Sequence, residues 1–122
     1  MIPVLLTCWK RPEKVLRVIE ALKVISPKKI YVSCDGPNIN ILGNEERVEE
    51  TKKVLMENIN WDCELSTKFF SKNHGCRMAM TKAINWFFNN EIEGIIIEDD
   101  CVPSEEFFIF CSELLNRYRY NK

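Results

Sequence analysis

Four short segments hold most of the side chains of this chain that could do chemistry together. They are Cys8-Trp9-Lys10-Arg11-Pro12, Asp35-Gly36-Pro37-Asn38, Ser71-Lys72-Asn73-His74-Gly75-Cys76-Arg77 and Glu98-Asp99-Asp100. The acidic triplet is the sharpest of them. Three consecutive carboxylates at the mouth of an apolar strand repel one another, and a divalent cation relieves that repulsion. In extended chain Glu98 and Asp100 point to one side and Asp99 to the other, so one face can hold a metal while Asp99 accepts hydrogen bonds from sugar hydroxyls. Oxygen-only ligands suit a hard cation, Mn²⁺ or Mg²⁺. The chain has only four Asp against 14 Glu, and three of the four Asp stand in these segments. A diphosphate needs cations and free N–H groups, which Lys10, Arg11 and a helix N-terminus beside Arg77 can supply. Plainer readings stand beside these. The triplet can be a solvated turn, Asp35-Gly36 an ordinary β-turn, Arg11 a solvated helix start and His74 a loop hydrogen-bonder. Trp9, Trp61 and Trp86 read as packing residues.

These segments follow four strand-like runs, Ile2–Cys8, Lys29–Cys34, Cys63–Phe70 and Gly94–Glu98. The first, second and fourth lack clear alternation, as in strands covered on both faces. Helical patterns separate them. Pro12 suits a first helical turn, Val15, Val18, Ile19, Leu22 and Ile25 follow at helical spacing, and Pro27 stops that helix. Asn44 is a candidate cap for a second helix with a thin stripe of Val48, Leu55 and Ile59. A third runs from about Cys76 to Phe88, where Cys76, Ala79, Met80, Ala83, Ile84, Phe87 and Phe88 predict a wide core-facing stripe. Ser104 is the predicted cap of a fourth, with Phe107, Phe108, Cys111, Leu114, Leu115 and Tyr118 as its buried side. Alternating strand and helix with short links predicts an α/β protein, a parallel sheet sandwiched between helices in three layers. Ligands of such sheets bind beyond the carboxyl ends of the strands, where all four segments lie. The longest connection, Asp35–Asn44, is a candidate mobile loop.

Composition sets the outer bounds. The chain has 122 residues, 46% of them hydrophobic and 29% charged, with a net charge of -1. This fits one soluble domain spanning 1–122 and argues against disorder. No apolar run approaches the ~20 residues of a membrane span, and no basic stretch precedes the first strand as in a secretory signal. Near-neutral charge without a basic block argues against nucleic acid as the main partner. The six cysteines show no C-x-x-C spacing, and His74 is the only histidine. We therefore expect reduced thiols in a cytoplasmic protein, packed as small hydrophobes. A receiver domain or a haloacid-dehalogenase-type phosphatase needs acids after the first strand, where Thr7 and Cys8 stand instead.

In order and spacing, Pro3–Pro12, Val32–Gly36, Asn73-His74-Gly75 and Ile95–Pro103 followed by Phe107-Phe108 resemble the nucleotide-sugar-binding half of GT-A glycosyltransferases. The resemblance is closest to the N-acetylglucosaminyltransferase I-like group and its bacterial relatives, and covers nearly the whole chain. It implies a Rossmann-like three-layer fold, mostly parallel, with strand order 3-2-1-4. It implies that Arg11 touches base or phosphate and that Asp35 accepts from the uracil ring or its equivalent. Asn73 and Arg77 would line the donor site, and Glu98 and Asp99 would contact ribose or donor sugar. Asp100 would ligate Mn²⁺ or Mg²⁺ bridging the diphosphate. The implied substrate is a nucleotide-diphosphate sugar, a UDP-sugar foremost, with a glycan or other hydroxyl as acceptor. Full members carry a hundred or more further residues for the acceptor site, the remaining sheet strands and, in inverting enzymes, the base. No catalytic residue is therefore assigned, and the chain is expected to be the donor half of a larger domain. That strand order also leaves Gly94–Glu98 at a sheet edge, where three isoleucines invite pairing, so a homodimer through this edge is the other expectation. A noncatalytic nucleotide- or metal-binding module is the alternative function. A sugar nucleotidyltransferase is disfavoured, because Trp9-Lys10-Arg11-Pro12 stands where its Gly-rich phosphate loop belongs.

Overall fold

A computed structural model describes residues 2–119. Strand β1 (Val4–Cys8), helix α1 (Pro12–Ile25), β2 (Lys29–Cys34), α2 (Asn44–Asn58), β3 (Glu64–Phe69), α3 (Cys76–Asn90), β4 (Ile95–Glu98) and α4 (Glu105–Tyr118) follow in strict alternation. The four strands form one all-parallel sheet in the order β3-β2-β1-β4. The fold is thus the expected α/β, Rossmann-like sheet flanked by helices. Strands β1 and β2 occupy its middle, which explains their runs of Val, Leu and Ile. Register places Thr7 beside Ser33 on one side and beside Glu98 on the other, so one row of polar groups crosses the sheet where its carboxyl ends open.

The larger core joins Val4, Leu6, Ile30, Val32, Ile95 and Ile97 to Val15, Val18, Ile19 and Leu22 of α1, Val48 and Leu55 of α2, and Phe108 of α4. The other face is covered by α3, through Ala83 and Phe87 packed on Leu5 with Tyr31 and Trp86 at the margin. Full burial of each such side chain is worth about 1.5–3 kcal/mol. Helix α1 starts at Pro12 and ends where Ser26 turns left-handed (φ 53°), its N–H still bonded to the Leu22 carbonyl at 2.7 Å. Pro27 then blocks continuation.

Three details differ from the sequence reading. Asn44 is not the cap of α2: Gly43 holds that position, and buried Asn44 turns its Oδ1 to the N–H of Asn38 at 2.7 Å. With Asn38 Oδ1 accepting from the N–H of Asn40, and Ile41 N–H bonded to the Asn38 carbonyl, the loop after β2 is stapled by its own amides. The stripe of α3 is narrower than predicted. Only Ala83 and Phe87 are buried, Phe88 is 43% exposed, and Cys76 lies open. Likewise α4 buries Phe108 alone, leaving Phe107, Leu114 and Tyr118 exposed. Periodicity marks which side of a helix is apolar, but a four-stranded sheet is too narrow to cover both stripes. The predicted Ser104 cap is present, its hydroxyl accepting from the N–H of Phe107 at 3.1 Å.

Candidate functional site

A cavity of about 270 Å³ opens at the carboxyl ends of the strands. The end of β1 supplies Thr7, Cys8, Trp9, Lys10 and Arg11, β2 supplies Ser33 and Asp35, and β4 supplies Glu98, Asp99 and Asp100. The first turns of α3 close the remaining wall with Cys76, Ala79 and Met80.

Asp35 holds this end of the molecule together. Its side chain is buried, and four donors saturate it. Oδ1 accepts from the N–H of Gly36 (2.8 Å) and of His74 (2.9 Å), and Oδ2 accepts from the N–H of Gly75 (3.1 Å) and Nδ2 of Asn73 (3.2 Å). A carboxylate offers about four acceptor directions, so all are used. The His74 ring adds Nδ1 at 3.5 Å from Oδ1 and lies against Phe70. Asn73 Nδ2 also donates to the Gly36 carbonyl at 3.1 Å, which accepts in addition from Nε1 of Trp9 at 2.9 Å. The ends of β1, β2 and β3 are thereby knotted through Asp35-Gly36. Gly75 takes a φ of +83°, a value glycine adopts without strain, and aims its N–H at Asp35 just before α3 begins.

The opposite wall is charged. Asp99 lies half-buried against the N–H of Trp9 and the Arg11 guanidinium. Burial pushes its carboxyl up from the ordinary range; Arg11 pulls it down, Asp100 pushes it up, and the Trp9 N–H and Glu98 act more weakly in the same opposed senses. Glu98 and Asp100 are exposed at the rim of the cavity, where one ligand atom from each, with Cys101 Sγ, fall within 4.8 Å of one another. Cys101 Sγ donates to Asp100 Oδ1 at 3.4 Å, and that contact pushes its thiol up from the ordinary range. Carboxylate oxygens are the donors that a hard divalent cation takes, so Glu98 and Asp100 are the residues that could hold one. The Lys10-Arg11 backbone is braced from behind: Arg47 Nε donates to the Lys10 carbonyl at 3.1 Å while its Nη2 donates to both carboxylate oxygens of Glu13 at 2.9 Å. Lys10 Nζ rests 4.6 Å above the Trp9 ring.

Since the folded pKa of Asp99 is raised, its ionised form destabilises the native state. That cost is absent below the ordinary Asp range and grows as pH rises through the raised value. Asp99→Asn, which keeps an oxygen for the Trp9 N–H, is therefore expected to raise the melting temperature at neutral pH. The gain should vanish at pH 3, as read by paired thermal melts.

Of the residues singled out in the sequence, Arg11, Asp35, Glu98, Asp99 and Asp100 line one cavity. Asn73 and Arg77 are not among its lining residues: Asn73 turns its amide to Asp35 and Gly36, and Arg77 is exposed on α3. Ser33, Ala79 and Met80 were missed. Ser33 is readable only from strand register with Thr7, and Ala79 and Met80 only as the part of the α3 stripe that the sheet leaves uncovered. Fold and cavity together define the class of the protein: a Rossmann-like α/β domain with a charged cleft at the carboxyl edge of its sheet. Comparison with protein-family models, curated proteins and solved structures returns no match.

Proposed function

We propose that the chain binds a nucleotide-diphosphate sugar with a divalent cation, as a glycosyltransferase or its donor-binding half. The observation that carries this reading is the meeting, in one cleft at the strand ends, of cations from β1 with the acidic triplet from β4. Lys10 and Arg11 bind the diphosphate, and Asp99, oriented by the Trp9 N–H, accepts from ribose or sugar hydroxyls. Glu98 and Asp100 hold Mn²⁺ or Mg²⁺, which supplies charge neutralisation for a departing nucleoside diphosphate. Asp35 has no acceptor site left for a base, so it serves as the positioning residue of the cleft. Base contacts then fall to Arg11 and to the rim that Asp35 holds in place.

Titration of UDP, GDP and CDP by calorimetry, with and without Mn²⁺, tests the reading. Expected is Mn²⁺-dependent binding of one nucleotide, UDP foremost, weakened at least about tenfold in Asp100→Ala, or 1.4 kcal/mol. Affinity that is independent of metal and equal in the variant overturns the assignment.

One observation favours a noncatalytic binding module as the second reading. A cavity of about 270 Å³ falls just below the ~300–1,000 Å³ of sites that enclose a whole small ligand. A cavity of that size encloses part of a nucleotide sugar. Sugar transfer or donor hydrolysis by the isolated chain separates the two, since a module shows neither.

A further inference from the structure

The two edges of the sheet are built differently. Along β3, Ser66, Thr67 and Lys68 present polar and charged groups, as defended edges do. At the other edge, β4 presents Ile95-Ile96-Ile97, with Ile96 37% exposed and no charge before Glu98. The N–H of Ile95 points inward to the Pro3 carbonyl at 3.0 Å, so by the alternation of the ladder the N–H and C=O of Ile96 point outward. Helix α4 runs back along this strand: it starts just beyond the Asp99-Asp100 turn, and Arg119 at its far end grips Glu93, two residues before β4, at 2.6 Å. Next to its buried side, α4 carries a second apolar stripe, Phe107, Phe110, Leu114 and Tyr118, at helical spacing and 38–58% exposed.

We infer that this edge is the twofold interface of a homodimer in which β4 pairs antiparallel with β4 of a second copy, joining the two sheets into one of eight strands. The occupant follows from self-complementarity. In antiparallel pairing, residues with outward backbone groups must face one another. An axis through Ile96 satisfies this, setting Ile96 against Ile96, Ile95 against Ile97 and Glu98 against Gly94, so no like charges oppose within β4; the next pair outward sets Asp99 against Glu93, whose charge Arg119 offsets. The neighbouring axes match less well: one through Ile97 sets Ile95 against Asp99 and Ile96 against Glu98, and one through Ile95 sets Ile96 against Gly94 and Ile97 against Glu93. The same axis brings the two α4 stripes together. With aromatic side chains of roughly 150–250 Å², Phe107, Phe110, Leu114, Tyr118, Ile96 and Val102 leave on the order of 500 Å² of apolar surface open. With the strand's backbone and rim this approaches the ~800 Å² that each partner buries in a standard interface. The inference does not depend on what the cleft binds; it requires only that the β4 edge is open to a second copy.

Sedimentation equilibrium of the full chain between about 1 and 100 μM tests it. Expected is a mass of twice 14.4 kDa at the upper end, with the Ile96 amide protected from hydrogen exchange in the dimer. Ile96→Lys and Phe110→Asp both alter exposed positions, and each is expected to weaken association about 100-fold with the melting curve of the monomer retained. If one variant fails to fold, the other still decides. A monomer throughout, meaning that something other than a second copy covers the edge, overturns the inference. So does a dimer indifferent to the folded variants or one with an unprotected Ile96 amide.

Discussion

Asp35→Ala is expected to lower the unfolding free energy by about 3–5 kcal/mol, the range for removing one partner from a buried, charged hydrogen-bond group. The carboxylate is the shared acceptor of three backbone N–H groups and the Asn73 amide. Alanine leaves these donors facing a void. Part of the loss is recovered by water, because His74 and Gly75 lie near the surface, which holds the figure below the sum of four separate bonds. Asp35→Asn discriminates further. Its oxygen can serve only one pair of donors, and its amide then faces the other pair donor to donor. It should therefore fall between wild type and alanine. Urea denaturation measures both, and hydrogen exchange at His74 and Gly75 shows whether the 73–75 segment has come away.

Gly36→Ala should cost about 3 kcal/mol, the upper end for inserting a methyl where there is no room. A Cβ at this position would lie 2.4–2.6 Å from the backbone carbon, oxygen and nitrogen of Lys72. Those atoms cannot swing aside like a side-chain tip, so the 72–75 segment has to move, and it carries the donors that Asp35 engages. The two substitutions damage the same contact. In a double-mutant cycle the pair should lose about 1–3 kcal/mol less than the singles together, the coupling expected of residues in one network. Strict additivity would mean that Gly36 acts only locally.

That dependence marks the limit of what the residues disclose when read along the chain. Strands announced themselves because a central strand of a parallel sheet, covered on both faces, demands unbroken Val, Leu and Ile, as in Val4–Leu6, and because Pro12, Pro27 and Ser104 fix helix ends chemically; the unbroken run Ile95–Ile97 misled on coverage, since β4 lies at the edge and is buried only at Ile95 and Ile97. The acidic triplet and Lys10-Arg11 could be placed in one cleft since strand ends of a parallel sheet share a side. Asp35, by contrast, reads locally as the first residue of a turn. Its partners lie 38 to 40 residues away and carry no mark of the pairing. Gly36 reads as a turn former too, yet what requires it is the backbone of Lys72. Helices α3 and α4 show the converse failure. Their apolar stripes are real, but burial depends on whether the sheet reaches beneath them, and β4 at the edge offers little more than Ile95 and Ile97.

The strand order also sets the sequence in which the site can come into being. Val4 pairs with Ile30, 26 residues on, and with Ile95, 91 residues on. Closing the longer loop costs about 1 kcal/mol more chain entropy, from the logarithmic growth of loop-closure cost. Docking of β4 is thus the most remote event in the assembly of the sheet, and it alone delivers Glu98, Asp99 and Asp100. A folding chain can complete β1, β2 and β3 and still have no acidic side to its cleft. The strand contact most distant in sequence is the one on which the proposed chemistry depends.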